Sequence, residues 1–298
     1  IQADIDEWLE TTDFLAELVP HVQPDLGPDQ FAAFFGTDLH FNEDSPNTNW
    51  VEPIVDDWAA ALPLAFSTEN PTWQKACAWR RMLHEYSRGR YVVGMSDLHS
   101  NADALLALRG AERLCTDFLD CPDQVARAME DVRAAYKPIY EGLYQAGGMS
   151  RATGTVGWIP FWCEDRYATI QCDFICMVSP EVSRRFIIPA LEEEADFLDH
   201  CIYHLDGPGA LPHLDDILAI RSIDAVQWVS GAGQKSMHLW TDVLQRCRDA
   251  GKGLVLYPPD LDAVKELHRL LGPAGIVYQV GGTREQIEDI LTWLERNT

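Results

Sequence analysis

The residues best suited to chemistry are His204 and Asp206, in the run Cys201-Ile-Tyr-His-Leu-Asp-Gly-Pro-Gly209. A short apolar, β-prone stretch from Cys201 to Tyr203 leads into them, and a Gly-Pro-Gly turn follows. Two apart on a strand, the imidazole and the carboxylate point to the same face. Gly207 and Gly209 allow backbone angles closed to other residues at the turn. An imidazole beside a carboxylate suits general acid/base catalysis or a metal ion with N and O ligands. The plainer use of the same residues is a strand end followed by a helix cap.

Other apolar runs also end in polar or aromatic residues. Tyr91–Ser96 ends in Asp97 and His99. Trp158 lies on a run over residues 153–161, and Gln171 and Asp173 lie near the end of one over residues 167–175. Gln227 and Trp228, Tyr257, and Gly281-Gly282 complete the set. No Ser, Cys or Lys stands at such an end beside a base, so covalent catalysis is not indicated. Each member has an ordinary alternative. Asp97 and Asp173 could cap the next helix, Trp158 and Trp228 could fill the core, and Gln227 could satisfy backbone groups.

The elements needed to position these residues follow a pattern. The first part of the chain reads as an acidic helix, then a short apolar helix at Phe31–Phe35, then a polar loop over 42–50 ending on Trp50. Residues 71–88 read as a helix with Pro71 near its start, and 102–118 and 122–147 as two more, the last opened by Pro122 and closed by Gly147-Gly148. Ser179-Pro180 opens a helix running to about Asp199, in which Pro189 predicts a kink. From Cys201 the alternation is regular. Strands at 201–205, 223–229, 253–257 and 275–280 are each followed by a helix, the last opened by the capping box Thr283-Arg-Glu-Gln286. Apolar strands alternating with helices indicate βα units and a parallel sheet. Seven strands can be counted, and an eighth hidden before residue 90 would close a (β/α)8 barrel. In such a barrel the strand ends above would share one pocket. An open doubly wound sheet is the alternative, but no Gly-x-Gly-x-x-Gly follows an early strand.

Composition limits the partners. The chain has 298 residues with 47 acidic against 23 basic side chains, a formal charge of −24. That field opposes nucleic acid and anionic membranes and disfavours a highly anionic substrate. The eight cysteines form no CxxC pair and suit an intracellular, cytoplasmic protein with free thiols. No apolar run is long enough to span a membrane and no leader is visible. The chain opens inside an apparent helix, so residues ahead of Ile1 are expected.

Tyr203-His-Leu-Asp-Gly-Pro-Gly-Ala-Leu-Pro-His-Leu-Asp215, followed by Ala225-Val-Gln-Trp-Val-Ser-Gly-Ala-Gly233, resembles the uroporphyrinogen decarboxylase-like superfamily, in an uncharacterised branch. Ala107-Leu-Arg-Gly110, Gln171-Cys-Asp-Phe174 with Ser179-Pro-Glu181, and Gly251-Lys252 add to the resemblance, which runs from about Gly27 to the C-terminus. It implies an α/β fold of the (β/α)8 TIM-barrel type. It also implies one of two chemistries: cofactor-free porphyrinogen decarboxylation, or methyl transfer in corrinoid-dependent systems with zinc. The methyltransferases carry a His-x-Cys motif and a later Cys as zinc ligands. Here the motif reads His204-Leu205-Asp206, and no Cys stands near Val280 to Gly282. The decarboxylases carry an N-terminal Arg-rich motif, and the first 79 residues here contain no Arg.

The resulting expectation is a single barrel domain over 1–298 with an N-terminal helical extension over about 1–70. It would be a methyltransferase-like enzyme acting on a small molecule. His204 and Asp206 would form its metal (zinc) or acid/base site, with Asp97 and Asp173 as further catalytic groups. Trp50, Trp158, Gln171, Gln227, Trp228 and Tyr257 would line the substrate pocket. Corrinoid would enter only through a partner protein, since no Asp-x-His-x-x-Gly motif is present, and a homodimer is in keeping with such barrels. The alternatives are a cofactor-free decarboxylase and a ligand-binding barrel without catalysis.

Overall fold

The computed structural model describes residues 2–42 and 45–298, with the backbone alone for residues 45–48. The fold is mixed α/β with parallel strands and many helices, in two compact units, Ile1–His200 and Cys201–Thr298. Among the described residues no helix is long and apolar enough to cross a membrane.

In the first unit, β1 (His21–Val22) lies parallel to a later short strand at Val92–Val93. This brief strand before residue 90 follows Pro20 and precedes Pro24, so its alternation is too short to read from the sequence. The polar stretch expected as a loop instead pairs β2 (Leu39–Asn42) antiparallel with β3 (Ser45–Val51). Glu43 and Asp44 of that stretch lie outside the described residues. The strand at Val92–Val93 is β4. Its neighbour is β5 (Thr155–Val156), reached by a hydrogen bond from Met95 N to Val156 O at 2.6 Å. The strand expected over 153–161 stops at Val156 and returns antiparallel as β6 (Trp162–Cys163), so Trp158 sits in the turn between them. β7 (Tyr167–Ile170) packs beside β5 and gives way to a 3-10 helix, Asp173–Met177, rather than running on to 175.

Helices enclose these strands. Asn70 caps the Pro71–Ser87 helix by accepting from Trp73 N at 2.9 Å, and its own amide donates to Ala33 O at 3.0 Å. Such a cap contributes about 1 kcal/mol. Trp73 reaches the Pro122–Ala146 helix at Gly142, where an added Cβ would lie 2.5 Å from the indole ring, so only glycine admits this contact. Residues 102–118, expected as one helix, break at Gly110 (φ 88°) into Asn101–Arg109 and Ala111–Asp120. Arg109 fixes that corner, donating to Val55 O, Asp56 O and Asp117. The expected kink at Pro189 takes the form of a π-helical turn, Ser183–Ile187, ahead of the Ile188–Phe197 helix. Proline has no N–H to offer the preceding turn, and a widened turn accommodates the loss.

The second unit holds β8 (His200–Asp206), β9 (Ala225–Val229), β10 (Gly253–Leu256) and β11 (Ile276–Tyr278), parallel and in sequence order. Leu205, Val226, Trp228, Val255 and Leu256 are buried within them. The helix expected after Gly233 begins only at Thr241 and follows a short 3-10 turn, Met237–Leu239. Asp260 caps Leu261–Leu271 by accepting from Ala263 N at 2.9 Å, and the Thr283–Gln286 capping box opens Arg284–Asn297. Buried Lys252 donates to Ile220 O and Ile223 O at 2.6 and 2.7 Å, tying down the loop before β9. Gly251-Lys252 is therefore a structural anchor here.

Candidate functional site

Two polar clusters stand at the C-terminal ends of parallel strands, one in each unit.

In the first unit, β1 leads to Asp25 and β4 to Ser96, Asp97 and His99. Arg80 is fully buried beneath them. It donates to Gly94 O at 2.8 Å, to Pro24 O at 3.3 Å and to Ser96 Oγ, pinning the exits of β1 and β4 together. Burial lowers its pKa to about 10, against the pull of Asp25. Asp25 accepts from Gly27 N, Gln30 Nε2 and Asp97 N at 2.8, 2.5 and 3.2 Å, and burial raises its pKa.

The loop from Asp97 to Asn101 is held from behind. Asn101 has φ 48°, a left-handed conformation that asparagine tolerates because its side chain bonds locally. Its Oδ1 accepts from Ala102 N at 2.7 Å and its Nδ2 donates to Gln171 O at 3.0 Å. Ser100 Oγ donates to the buried Glu194 at 2.6 Å. Burial outweighs the bonds from Ser100 and Asn101 and pushes Glu194 up to about 8.

His99 is the centre of this cluster. Its Nε2 lies 3.2 Å from Asp97 Oδ2, its Nδ1 lies 3.8 Å from Asp103 Oδ2, and the Gln171 amide is 2.5 Å from Nε2. Burial alone would lower its pKa. The hydrogen bond and charge of Asp97, with the charges of Asp103 and Asp173, overcome that and push it up to about 9. That favours the protonated ring; the group placed at Nε2 is the Gln171 amide nitrogen. Asp103 accepts from Asp173 N at 3.0 Å and from Phe174 N at 2.8 Å, starting the 3-10 helix; burial raises it to about 6. Donor atoms of His99, Asp103 and Asp173 fall within 4.8 Å of one another. Asp103 already uses both oxygens on backbone N–H groups, so the group suits acid/base work better than metal binding.

In the second unit, His204 and Asp206 lie on one face of β8, as their spacing predicts, with His204 half-buried and Asp206 exposed. Gln227 stands directly across the ladder from His204. Its Oε1 meets His204 Nδ1 and its Nε2 donates to the Tyr257 hydroxyl. Gln227 is 2% exposed, whereas Tyr257, just past β10, is 38% exposed. Burial raises the Tyr257 pKa, with the Gln227 bond opposing. Gly207 N donates to Val229 O at 2.8 Å with φ 74° at Gly207, so the chain turns sharply just after Asp206.

The expected site residues thus sort clearly. Asp97, Gln171 and Asp173 gather around His99, and His204, Gln227 and Tyr257 form a chain of contacts. Trp228 is fully buried on the opposite face of β9 from Gln227, edge-on to Trp240 at 5.3 Å, so it packs the core of its unit instead of joining His204. Adjacent residues on a strand point to opposite faces, which the sequence reading of Gln227 and Trp228 as one lining overlooked. Trp50 is exposed on β3, stacked on His40 at 5.7 Å with its indole N–H toward Glu52. Trp158 is half-buried in the turn after β5. Asp25, Arg80, Asp103 and Glu194 were not expected. Asp103 carried one signal, its position four residues after His99, one helical turn on.

The zinc implied by the resemblance can be weighed against these side chains. His204 and Asp206 offer one nitrogen and one oxygen on a common face, a donor pair zinc accepts. The thiols of the second unit offer nothing more. Cys201 and Cys247 are buried, Cys201 faces away from His204 on β8, and burial pushes Cys247 up to about 11.

No family model and no curated protein matches the chain. Among solved structures it is similar to a methyltransferase from Methanosarcina mazei, with TM-score 0.63 and 12% identity, over 93% of this chain and 80% of that one. At that identity the likeness speaks for the fold alone.

Proposed function

We propose that the chain is a methyltransferase-type enzyme acting on a small molecule, with His204 and Asp206 as its reactive pair. The observation that carries this reading is the aimed imidazole: a half-buried His204 at the end of a parallel strand, held by a buried Gln227 that also meets Tyr257. Strand ends are where α/β folds place their chemistry. The likeness of fold to a methyltransferase is in keeping with methyl transfer.

The fold belongs to the same proposal. β1, β4, β5 and β7 with β8 to β11 would be the eight strands of a (β/α)8 barrel forming one domain over 1–298. The segment over about 1–70 would be largely extension. An experimental structure showing a closed eight-stranded ring supports this, and an open sheet overturns it.

Methyl transfer leaves an electron pair on the atom that loses the methyl group. A proton or a cation at that atom stabilises the pair. In this reading His204 and Asp206 would hold a zinc ion or move the proton themselves. When bound, zinc would act as a Lewis acid. Asp97 and Asp173, flanking the His99 imidazolium, would tune a second charged group. Trp50 and Trp158 would provide aromatic surface for the substrate. Corrinoid would be carried by a separate protein.

The test is transfer of the methyl group between methylcobalamin and a panel of thiols, alcohols and amines, with metal analysis alongside. Transfer that is lost in His204→Ala supports the proposal. A bound metal lost in the same variant selects the zinc version, and full transfer by metal-free protein removes it. Decarboxylation of a porphyrinogen without methyl transfer would overturn the whole reading.

A further inference from the structure

We infer that Gln279 is a ligand-binding residue on the sheet face that carries His204, and that this face takes a small uncharged molecule bearing several hydroxyl groups. The inference starts from register. Strands β8 to β11 lie parallel and in order, with His204 paired to Gln227, Gln227 to Val255 and Val255 to Val277. Side chains two residues further along a strand point to the same face. Two residues on from that row stand Asp206, Val229, Tyr257 and Gln279. Asp206 and Val229 are direct partners. Gln279 N donates to Leu256 O at 2.8 Å, which carries the ladder one step beyond β11 and sets Gln279 beside Tyr257. Tyr257 meets the Gln227 side chain, so the second row shares the face of the first. One face of the second unit thus presents an imidazole, a carboxylate, a phenol and an amide at the C-terminal ends of its strands.

The Gln279 amide oxygen is buried, and among the described residues no hydrogen bond reaches it. Exchanging the two ends of the amide places an NH2 group there, equally without a partner, so the observation holds for either orientation. Buried polar atoms are nearly always paired, and a ligand supplies the partner here. The neighbouring groups indicate its class. Neither row contains Lys or Arg, and the chain carries a formal charge of −24, which together disfavour an anion. An ammonium ion only donates and leaves the donor side of the Gln279 amide unmatched. A hydroxyl group both donates and accepts, as Tyr257 and Gln279 do. Adjacent strands lie about 5 Å apart, so one molecule of several carbons reaches both residues.

As the substrate class of the proposed reaction this rests on that reading; the binding of such a molecule at Gln279 does not. The test is NMR of the full chain with nitrogen-15 in its glutamine side chains. Gln279→Met identifies the Gln279 signal, and erythritol, inorganic phosphate and methylammonium are the probes. We expect erythritol to shift the Gln279 amide and to bind about 2–10-fold more weakly to Gln279→Met, the loss of one neutral hydrogen bond. Phosphate and methylammonium should leave the signal in place. Erythritol that does not move the Gln279 amide overturns the inference, as does equal affinity for wild type and Gln279→Met. A shift with phosphate or methylammonium in place of erythritol overturns it as well. Should Gln279→Met not fold, Gln279→Glu identifies the signal by removing it, and the wild-type shift decides. A protein that binds erythritol through Gln279 and transfers no methyl group would sink the proposed function and leave the binding residue standing.

Discussion

Asp103 lies one helical turn beyond His99 and serves two structures at once. One of its oxygens sits 3.8 Å from His99 Nδ1, while the pair together accepts the backbone N–H groups of Asp173 and Phe174. The buried carboxylate therefore sets the start of the 3-10 helix and supports the imidazolium. Asp103→Asn turns one acceptor into a donor facing an N–H. We expect a stability loss of roughly 1–3 kcal/mol, the usual cost of an unsatisfied buried group. His99 should also titrate below its present value of about 9, because a negative charge beside it is gone. Urea denaturation and an NMR titration of His99 measure the two effects.

His99 itself should give the protein a distinct pH dependence. Its pKa is raised from 6.5 to about 9 on folding. A raised folded-state value contributes stability that is complete below the unfolded value and lost as pH climbs through the folded one. The stabilising contribution should thus fade between pH 6.5 and about 9. His99→Gln should flatten the denaturation midpoint over that window. An unchanged slope would show that the Asp97–His99 pair is not formed in solution.

Glu194 follows the same sign over a lower window. Burial raises it from 4.5 to about 8, so its contribution should decline from pH 4.5 upward and be gone above about 8. Glu194→Gln keeps an acceptor for Ser100 and removes the ionisation. The variant should match wild type in weak acid and exceed it at alkaline pH. Equal stability at both ends would contradict the rise that burial gives the Glu194 pKa.

Arg80 joins the exits of two strands through Pro24 O, Gly94 O and Ser96. Arg80→Met fills the space and takes the donor from Gly94 O, while Pro24 O keeps its bond from Ser96 Oγ at 3.0 Å. The expected loss is about 1–3 kcal/mol, the usual cost of leaving a buried acceptor unsatisfied. Arg80→Lys, with a compact ammonium in place of the planar fork, should recover only part of it. Thermal unfolding of both variants checks the order.

Much of the second unit was readable in the chain because its strands are apolar runs bounded by glycine and its helices announce their starts. Asp260 and the Thr283–Gln286 box cap helices where their spacing says they should. His204 and Asp206 share a face for the same reason, the two-residue period of a strand. The first unit was harder. Strands β1, β4, β5 and β7 are two to four residues long, too short for alternation to show, and β1 was invisible as a result. The β2–β3 pairing came from polar residues that read as loop. The buried roles of Arg80, Asp103 and Glu194 depend on partners 14 to 94 positions away, which no local pattern carries.

The central claim is that His204 is the reactive imidazole. The most direct measurement is the methyl-transfer rate of His204→Ala against wild type, with folding verified by circular dichroism. Loss of an acid/base group or metal ligand predicts a fall of about 10²–10⁴-fold. A folded His204→Ala protein that transfers methyl groups at the wild-type rate would contradict the account.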